Sequence, residues 1–572
     1  MNKLLALRRA LLLALVGGLA ACGGGGGDSG GSAVTPPPPP PPLSADTPLD
    51  DPAVYSAADG ASLPGATEEA AITHHRMTLG GTTLSYTATT GHLIARRPSD
   101  NAAQASMFYV AYTADGAAAG TRPVTFFYNG GPGSATVWLH LGSFGPKRLV
   151  TGVPATTAAA PFPLVDNNES LLDTTDLVFV NAVGAGYSQA IAPFTNRSFY
   201  GVDVDAAVFR DFVQRWLVVN QRQASPKFLY GESYGGPRTA VLVRLLQAAG
   251  TPIDGVVLQS PALDYNSNCG VLGQPGQSCQ AYLPTYASTA AFHRLARPAP
   301  TDLTAFLNEV RSFTAQRYAP AVTAYFGGQA PGVDLLNGLA GYSGIAAGVW
   351  QGDFNFPPWR FQSVLLPGQL TGRYDARMIA PQGSTLASEG DPSSTFISPS
   401  FATAIASYLR DTLRYTNRST YVLLSNAIQT WDFSHSGRAY PDTVPDLAAA
   451  LAQNPRLRVL AVSGTNDLAT PFYLTEQDLA RLGADARVAV RNYPGGHMSY
   501  LDDTTRPLQK ADLVAFIRQA ASTRTAQAAT ALQRSTTVRP DRAGQPATQP
   551  LPAPLEPAFQ APMREPWVPP PR

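Results

Sequence analysis

The sequence predicts an α/β fold: a mainly parallel central sheet with helices on both faces and an inserted cap. Three observations carry this. Apolar runs that read as strands recur along the chain: TLSYTATTGHLIAR, SMFYVAYT, VTFFYNG, DLVFVNAV, KFLYG, GVVLQSP and LRVLAVSG. Helical patterns fall between several of them, and strands alternating with helices bury a parallel sheet from both sides. From about Tyr265 to Arg418 the rhythm gives way to Tyr-, Pro- and Gly-rich stretches with short helices, and it resumes at LRVLAVSG, so a cap is expected between two strands.

The chain begins with Lys3, Arg8 and Arg9 ahead of a short apolar run, Ala10 to Val16, followed by small residues. That layout is an export signal, too short and too lopsided for a spanning helix. Leu19-Ala20-Ala21-Cys22 resembles the lipobox of bacterial lipoproteins, which implies cleavage before Cys22 and lipid on its thiol. Five glycines and a run of prolines from Pro36 to Pro42 follow. They read as a flexible piece and then a stiff polyproline spacer.

The first two strand candidates are joined by short turns and suggest an antiparallel hairpin at the sheet edge. Two helices are legible by their spacing. Phe209, Phe212, Val213, Trp216 and Leu217 share one helical face, and Val241, Leu242, Leu245 and Leu246 share another. The last 50 or so residues, from about Thr523, are rich in Pro, Ala, Gln and Thr and read as a disordered tail.

Composition narrows the partners. The 572 residues carry a formal net charge of +1 with no long basic block. Nothing therefore favours nucleic acid or polybasic attachment to a membrane, and small molecules or peptides are expected. Of the three cysteines, Cys269 and Cys279 remain after Cys22 is assigned to lipid. In an exported chain the two could close a short disulfide loop, and without a nearby histidine they offer too few ligands for zinc, so no metal and no cofactor is expected.

Candidate chemistry centres on FLYGESYGG, where a strand ends, a G-x-S-x-G turn follows and a helix begins. This context thrusts Ser233 out at the top of a sheet as a nucleophile. Chain order then calls for an acid and a histidine. His497, in a glycine-rich loop after the candidate strand VAVRNY, is the base. Asp467, where LRVLAVSG runs into a polar loop, is the acid that holds its imidazole, with Asp264 as a competitor. The loop Asn129-Gly130-Gly131-Pro132-Gly133 follows an early strand and can present backbone N–H groups to an oxyanion, Gly131 supplying one and Tyr234 the other. The lysine followed by serine or threonine that would mark a phosphate loop is absent there. Glu232, directly before the nucleophile, makes its ionisation harder and needs a separate purpose.

With the blocks NGGPGS, GAGYS, GESYGG and the paired NDLATP and GGHMSY in this order, the chain resembles the serine carboxypeptidase family, its bacterial branch more than its eukaryotic one, from about Arg76 to Ala521. The resemblance implies an α/β-hydrolase fold, the triad Ser233, Asp467 and His497, and an oxyanion hole from Gly131 and Tyr234. It also implies that Glu232 and Asn129, assisted by the N–H of Gly130, bind the free C-terminal carboxylate of a peptide. Two carboxylates at hydrogen-bond distance share a proton, so peptide hydrolysis is expected to favour acid. Tyr128 stands where the family usually has Trp before the Asn, and NAVGAGYS departs from the family loop; both bear on specificity.

The expected organisation is a lipoprotein signal peptide (1–21), a Gly/Pro-rich linker (22–70), the hydrolase domain in two parts (71–264 and 421–521), a cap (265–420) and a disordered tail (522–572). The expected activity is release of C-terminal residues from peptides by an exported bacterial lipoprotein held at the outer membrane, periplasm or cell surface. An esterase or acyltransferase on the same triad is the alternative enzyme. A binding protein that keeps the fold without turnover is the alternative outside enzymes.

Overall fold

A computed structural model describes residues 43–118 and 120–536. The signal segment, Cys22, the proline run and the end of the tail lie outside them. A ten-stranded sheet organises the rest. Nine of its strands, in chain order, are β1 (Ala70–Leu79), β2 (Thr82–Arg96), β3 (Ala103–Ala114), β4 (Val124–Tyr128), β5 (Asp176–Val180), β6 (Lys227–Glu232), β7 (Gly255–Gln259), β8 (Arg458–Gly464) and β9 (Val488–Tyr493). They lie side by side as β9-β8-β7-β6-β4-β5-β3-β2-β1, and the short strand Gln189–Ala190 pairs with β3. From β9 to β5 every pairing is parallel; β3, β2 and β1 join antiparallel. This is the α/β-hydrolase arrangement expected from the sequence.

The expected hairpin is β2 with β3, but the sheet edge is β1. Its sequence, AAITHHRMTL, breaks apolar alternation with two histidines and an arginine, and only four of its ten residues are buried. An edge strand has less to bury than a central one, and so leaves a weaker pattern.

Helices cover both faces. On one lie α2 (Val202–Val219) and α3 (Gly235–Ala248), with α5 (Val444–Gln453) packed on α3. Phe209, Phe212, Trp216, Val241 and Leu242 are fully buried there, as the helical spacing predicts. On the other face lie α1 (Val137–Gly142), α4 (Pro392–Ser407) and α6 (Thr505–Thr536), which bury Leu139, Phe401, Ile405, Leu513 and Ile517. Burying each large apolar side chain stabilises the fold by about 1.5–3 kcal/mol.

The insertion between β7 and β8 has two parts. Residues from Cys269 to Leu365 form a core of their own around Tyr286, Trp350 and Phe361, closed by the disulfide Cys269–Cys279 with Cα atoms 5.4 Å apart. α4, though within the stretch read as cap, instead packs onto the sheet face through Phe396, Ile397, Phe401 and Ile405. Composition marks an inserted segment but does not say which layer its helices join.

Two further boundaries differ from the sequence reading. The stretch read as linker to residue 70 is built into the fold from Thr47 on. Leu49–Asp51 pairs in parallel with Tyr415–Asn417, and Asp51 Oδ2 accepts hydrogen bonds from the hydroxyls of Tyr55 (2.9 Å) and Tyr415 (2.5 Å). The strand pairing and the Tyr415 bond, the latter across 364 positions, join distant parts of the chain, which no local pattern announces. At the other end, α6 runs to Thr536, so the first residues of the stretch read as disordered tail are helical. Ala, Gln and Arg there are good helix formers, whose propensity a disorder reading from polarity overlooks.

Candidate active site

The predicted site residues sit just beyond the carboxyl ends of parallel strands: Asn129 after β4, Ser233 after β6, Asp467 after β8 and His497 after β9. This is the edge at which open α/β sheets place their ligand sites.

Ser233 adopts φ +63°, a left-handed conformation that a non-glycine residue occupies only when its surroundings hold it there. Its N–H bonds to Gln259 O at 3.0 Å, and its carbonyl accepts from Gly236 N at 2.8 Å as α3 begins. The turn is tight enough that a Cβ on Gly231 would meet Gly235 O at 2.2 Å and Thr239 Oγ1 at 2.3 Å. Glycine at 231 is therefore a packing requirement of the elbow.

His497 and Asp467 are both buried, with His497 Nδ1 2.7 Å from Asp467 Oδ2. The carboxylate fixes the Nδ1–H tautomer and leaves Nε2 as the basic nitrogen. Burial would lower the pKa of His497, and the Asp467 charge reverses this and raises it above the ordinary imidazole value. Asp467 Oδ1 accepts from the backbone N–H of Ala469 (2.8 Å) and Thr470 (3.1 Å). The Thr470 hydroxyl lies 2.7 Å from Asp467 Oδ2, 2.9 Å from Ser260 O and 3.1 Å from His497 Nδ1. With Nδ1 protonated the Thr470 oxygen can only accept there, and its single proton goes to either Asp467 Oδ2 or Ser260 O at a time. The imidazole's own backbone is held as well: Ser260 Oγ donates to His497 O (2.8 Å), and His497 N donates to Tyr374 O (2.6 Å). Asp264 is elsewhere, paired with Arg481 at 2.9 Å.

Glu232 is buried directly before Ser233. Oε1 accepts from Asn129 Nδ2 at 2.8 Å and Oε2 from the Tyr500 hydroxyl at 2.7 Å. Burial pushes its pKa up to about 7, against the opposing pull of His497 and the Tyr500 hydrogen bond. Asn129 has all its polar groups engaged: Oδ1 accepts from Leu139 N (3.1 Å), its N–H reaches Thr136 Oγ1 (3.4 Å) and its carbonyl accepts from Arg238 Nη1 (2.7 Å). Arg238 in turn is ion-paired with Asp205 at 2.6 Å.

The glycine loop lies directly on the elbow. A Cβ on Gly130 would fall 2.4 Å from Tyr234 N and 2.6 Å from Glu232 O. A hitch of chain from the end of the insertion braces this loop from outside, Ala135 N donating to Leu423 O (2.8 Å) and Ser425 N to Gly133 O (2.9 Å). Asn129, Gly130, Gly131, Glu232, Ser233 and His497 line one cavity of about 150 Å³, with Trp138, Ile397, Leu424, Ile428 and Met498 among its apolar walls. Cys269 and Cys279 are not among its lining residues. Thr470, Tyr500, Ser260 and Arg238 had no role assigned from sequence, although Thr470 and Tyr500 fall inside the blocks NDLATP and GGHMSY.

A serine, a histidine oriented by a carboxylate and a glycine loop at one cavity can carry acyl transfer. Comparison with known proteins agrees in kind. Residues 80–268 match the sequence profile of the serine carboxypeptidase family. That span contains Asn129 to Gly131 and Glu232 to Tyr234, while Asp467 and His497 lie beyond it. A pheromone-processing carboxypeptidase from Cryptococcus gattii is 30% identical over 152 residues, which is 26% of this chain and 21% of that protein, so the match spans about a fifth of the relative's length. Among solved structures, a prohormone-processing carboxypeptidase from Saccharomyces cerevisiae is 14% identical with a TM-score of 0.47, covering 76% of this chain and 91% of its own. A proline iminopeptidase from Mycobacterium smegmatis is 12% identical with a TM-score of 0.31, covering 79% and 99%.

Proposed function

From the serine carboxypeptidase likeness of residues 80–268, we propose that the chain is a serine carboxypeptidase that removes C-terminal residues from peptides. The observation that carries this is the Asn129–Glu232 pair, buried at 2.8 Å in the same cavity as Ser233. A buried carboxyl group with its pKa raised to about 7, directly before Ser233, suits a substrate that brings a second carboxylate with which to share the proton.

In this reading Ser233 Oγ attacks the last peptide carbonyl while His497 Nε2 takes its proton. The N–H groups of Gly131 and Tyr234 hold the resulting oxyanion, and Asp467 stabilises the imidazolium. The proton passes to the departing amino group of the C-terminal residue. Water then enters and gives a proton to His497 Nε2 as its oxygen bonds to the acyl carbon; the bond to Ser233 Oγ breaks, Oγ takes that proton back, and the shortened peptide leaves with a new carboxyl group. Asn129, Glu232 and the Gly130 N–H hold the substrate carboxylate, so the enzyme cuts one residue from the end. Export and lipid attachment at Cys22 would place this activity at a bacterial envelope; a Cys22→Ser chain would then leave the membrane fraction.

The test is kcat/KM for a blocked dipeptide with a free C-terminus against its C-terminal amide, with Ser233 labelling by a fluorophosphonate as the check of competence. Strong preference for the free acid supports the proposal. Equal cleavage of both, or cleavage of simple esters alone, replaces it with an esterase or acyltransferase.

A further inference from the structure

Arg238 and Asp205 form an ion pair at the bottom of the site, 0% and 2% exposed. Arg238 Nε donates to Asp205 Oδ2 at 2.6 Å and Nη2 to Oδ1 at 3.3 Å, while Nη1 reaches Asn129 O at 2.7 Å. The guanidinium also lies over three rings: Phe209 at 4.4 Å, Tyr234 at 5.3 Å and Tyr128 at 5.5 Å. Tyr128 precedes Asn129 and Tyr234 follows Ser233, so one side chain touches both halves of the site.

Stability does not explain this arrangement, because a buried ion pair is seldom better than apolar residues of the same volume. What an apolar residue could not do is hold the Asn129 carbonyl. Asn129–Gly130 is a trans peptide, so its C=O and N–H point opposite ways. Rotating that unit changes ψ of residue 129 and φ of residue 130, and residue 130 is glycine, which tolerates either sign of φ. Left unheld, the unit could turn over at small cost and present a carbonyl oxygen where the reading above places the substrate carboxylate.

We infer that Arg238, held by Asp205, is a positioning residue that locks the Asn129–Gly130 peptide with its N–H toward the substrate carboxylate, and so sets the preference for a free C-terminus. This rests on the carboxypeptidase reading. Arg238 touches no reacting atom; it acts through Gly130.

The test uses the full chain carrying Arg238→Lys and, separately, the volume-matched double variant Arg238→Met/Asp205→Leu, which removes both charges and avoids leaving one buried alone. The readouts are KM and kcat for the free-acid dipeptide and its amide, together with Tm. The expected result is that the acid-to-amide ratio of kcat/KM falls about tenfold or more in both variants, mainly through KM for the acid, as a lost buried hydrogen-bonding partner predicts. A ratio unchanged from wild type, or equal losses on both substrates, overturns the inference and leaves the pair a structural one, with the carboxypeptidase reading standing. Absence of acid preference in the wild type itself brings down that reading and this inference with it.

Discussion

The side-chain amide of Asn129 donates to Glu232 Oε1 across 2.8 Å, and Asn129 Oδ1 is occupied by the N–H of Leu139 at 3.1 Å. Asn129 is thereby fixed with its donor end toward the carboxyl group. Glu232 Oε2 has the Tyr500 hydroxyl at 2.7 Å. Both contacts are donors, and both lower a pKa that burial raises to about 7. The balance leaves Glu232 poised to gain or lose its proton close to neutrality, which makes pH the most informative variable.

For a free-acid peptide, kcat/KM is expected to fall as pH rises through about 7, because protonated Glu232 can share its proton with the substrate and ionised Glu232 repels it. An amide substrate lacks this limb. Its rate follows His497, which must be neutral to act as base, and rises at a pH above the ordinary imidazole value because Asp467 and Glu232 both hold the proton on. Glu232→Gln is expected to erase the alkaline limb for the acid and to move the acid limb of the amide profile to lower pH. Persistence of the alkaline limb in that variant would assign it to another group.

Gly130→Ala is expected to abolish turnover. The added methyl would sit 2.4 Å from Tyr234 N and 2.6 Å from Glu232 O, both backbone atoms that cannot rotate away. The loop must then lift off the elbow, separating the oxyanion donors by more than the roughly 1 Å that costs about a hundredfold. A loss of less than tenfold in kcat/KM for a simple ester would show that the two halves of the site are not rigidly coupled.

The cavity wall offers a specificity prediction. Leu424 is 60% and Ile428 41% exposed, both line the cavity, and among the described residues no Lys or Arg does. Peptides with apolar residues beside the cleaved bond are expected to outrun those with acidic ones, which would find no cation there. Leu424→Asp is expected to cut kcat/KM for the apolar substrate by about tenfold, the usual worth of a lost apolar contact at a specificity pocket. Equal rates across the peptide series would place selection elsewhere.

Stability should carry a separate pH signature. Buried His435 has Asp203 Oδ1 at 2.9 Å from Nδ1 and Asp446 Oδ2 at 2.8 Å from Nε2, with Ser436 alongside and Arg244 on the far oxygen of Asp446. Burial alone would lower its pKa, but the two carboxylates raise it to about 9. A raised folded pKa gives stability that is complete below the unfolded value of about 6.5 and is lost as pH climbs through about 9. His435→Gln should therefore cost on the order of 2 kcal/mol at pH 6, discounted for the exposure of Asp203, and much less at pH 9.5. Unfolding curves at the two pH values with the same difference would contradict it.

Much of the site was legible in the sequence because its parts have local signatures. A strand, a G-x-S-x-G turn and a helix specify the elbow at Ser233, and the glycines at 130 and 131 specify a loop bare enough to lie against it. Asp467 and His497 followed from chain order, and 2.7 Å separates them. Thr470 and Tyr500 were in view within their blocks, but nothing in a block says which neighbour a hydroxyl meets. Arg238 was harder still. An arginine four residues into a helix reads as solvated, and only the arrival of Asp205 from the preceding helix makes its burial possible.

By itself, then, the sequence determined the α/β class, the order of the main strands along the chain and the candidate residues that the fold brings to one edge of the sheet, because periodicity and turn chemistry are properties of neighbours along the chain. Tertiary structure alone decided the rest. It brought Leu49–Asp51 to Tyr415–Asn417, sent α4 to the sheet face, and set Tyr500 and Asn129 on either side of Glu232. Each of these joins residues far apart in sequence, and the pKa of Glu232 depends on the last, since burial is a property of everything packed around a group and not of the group's own segment.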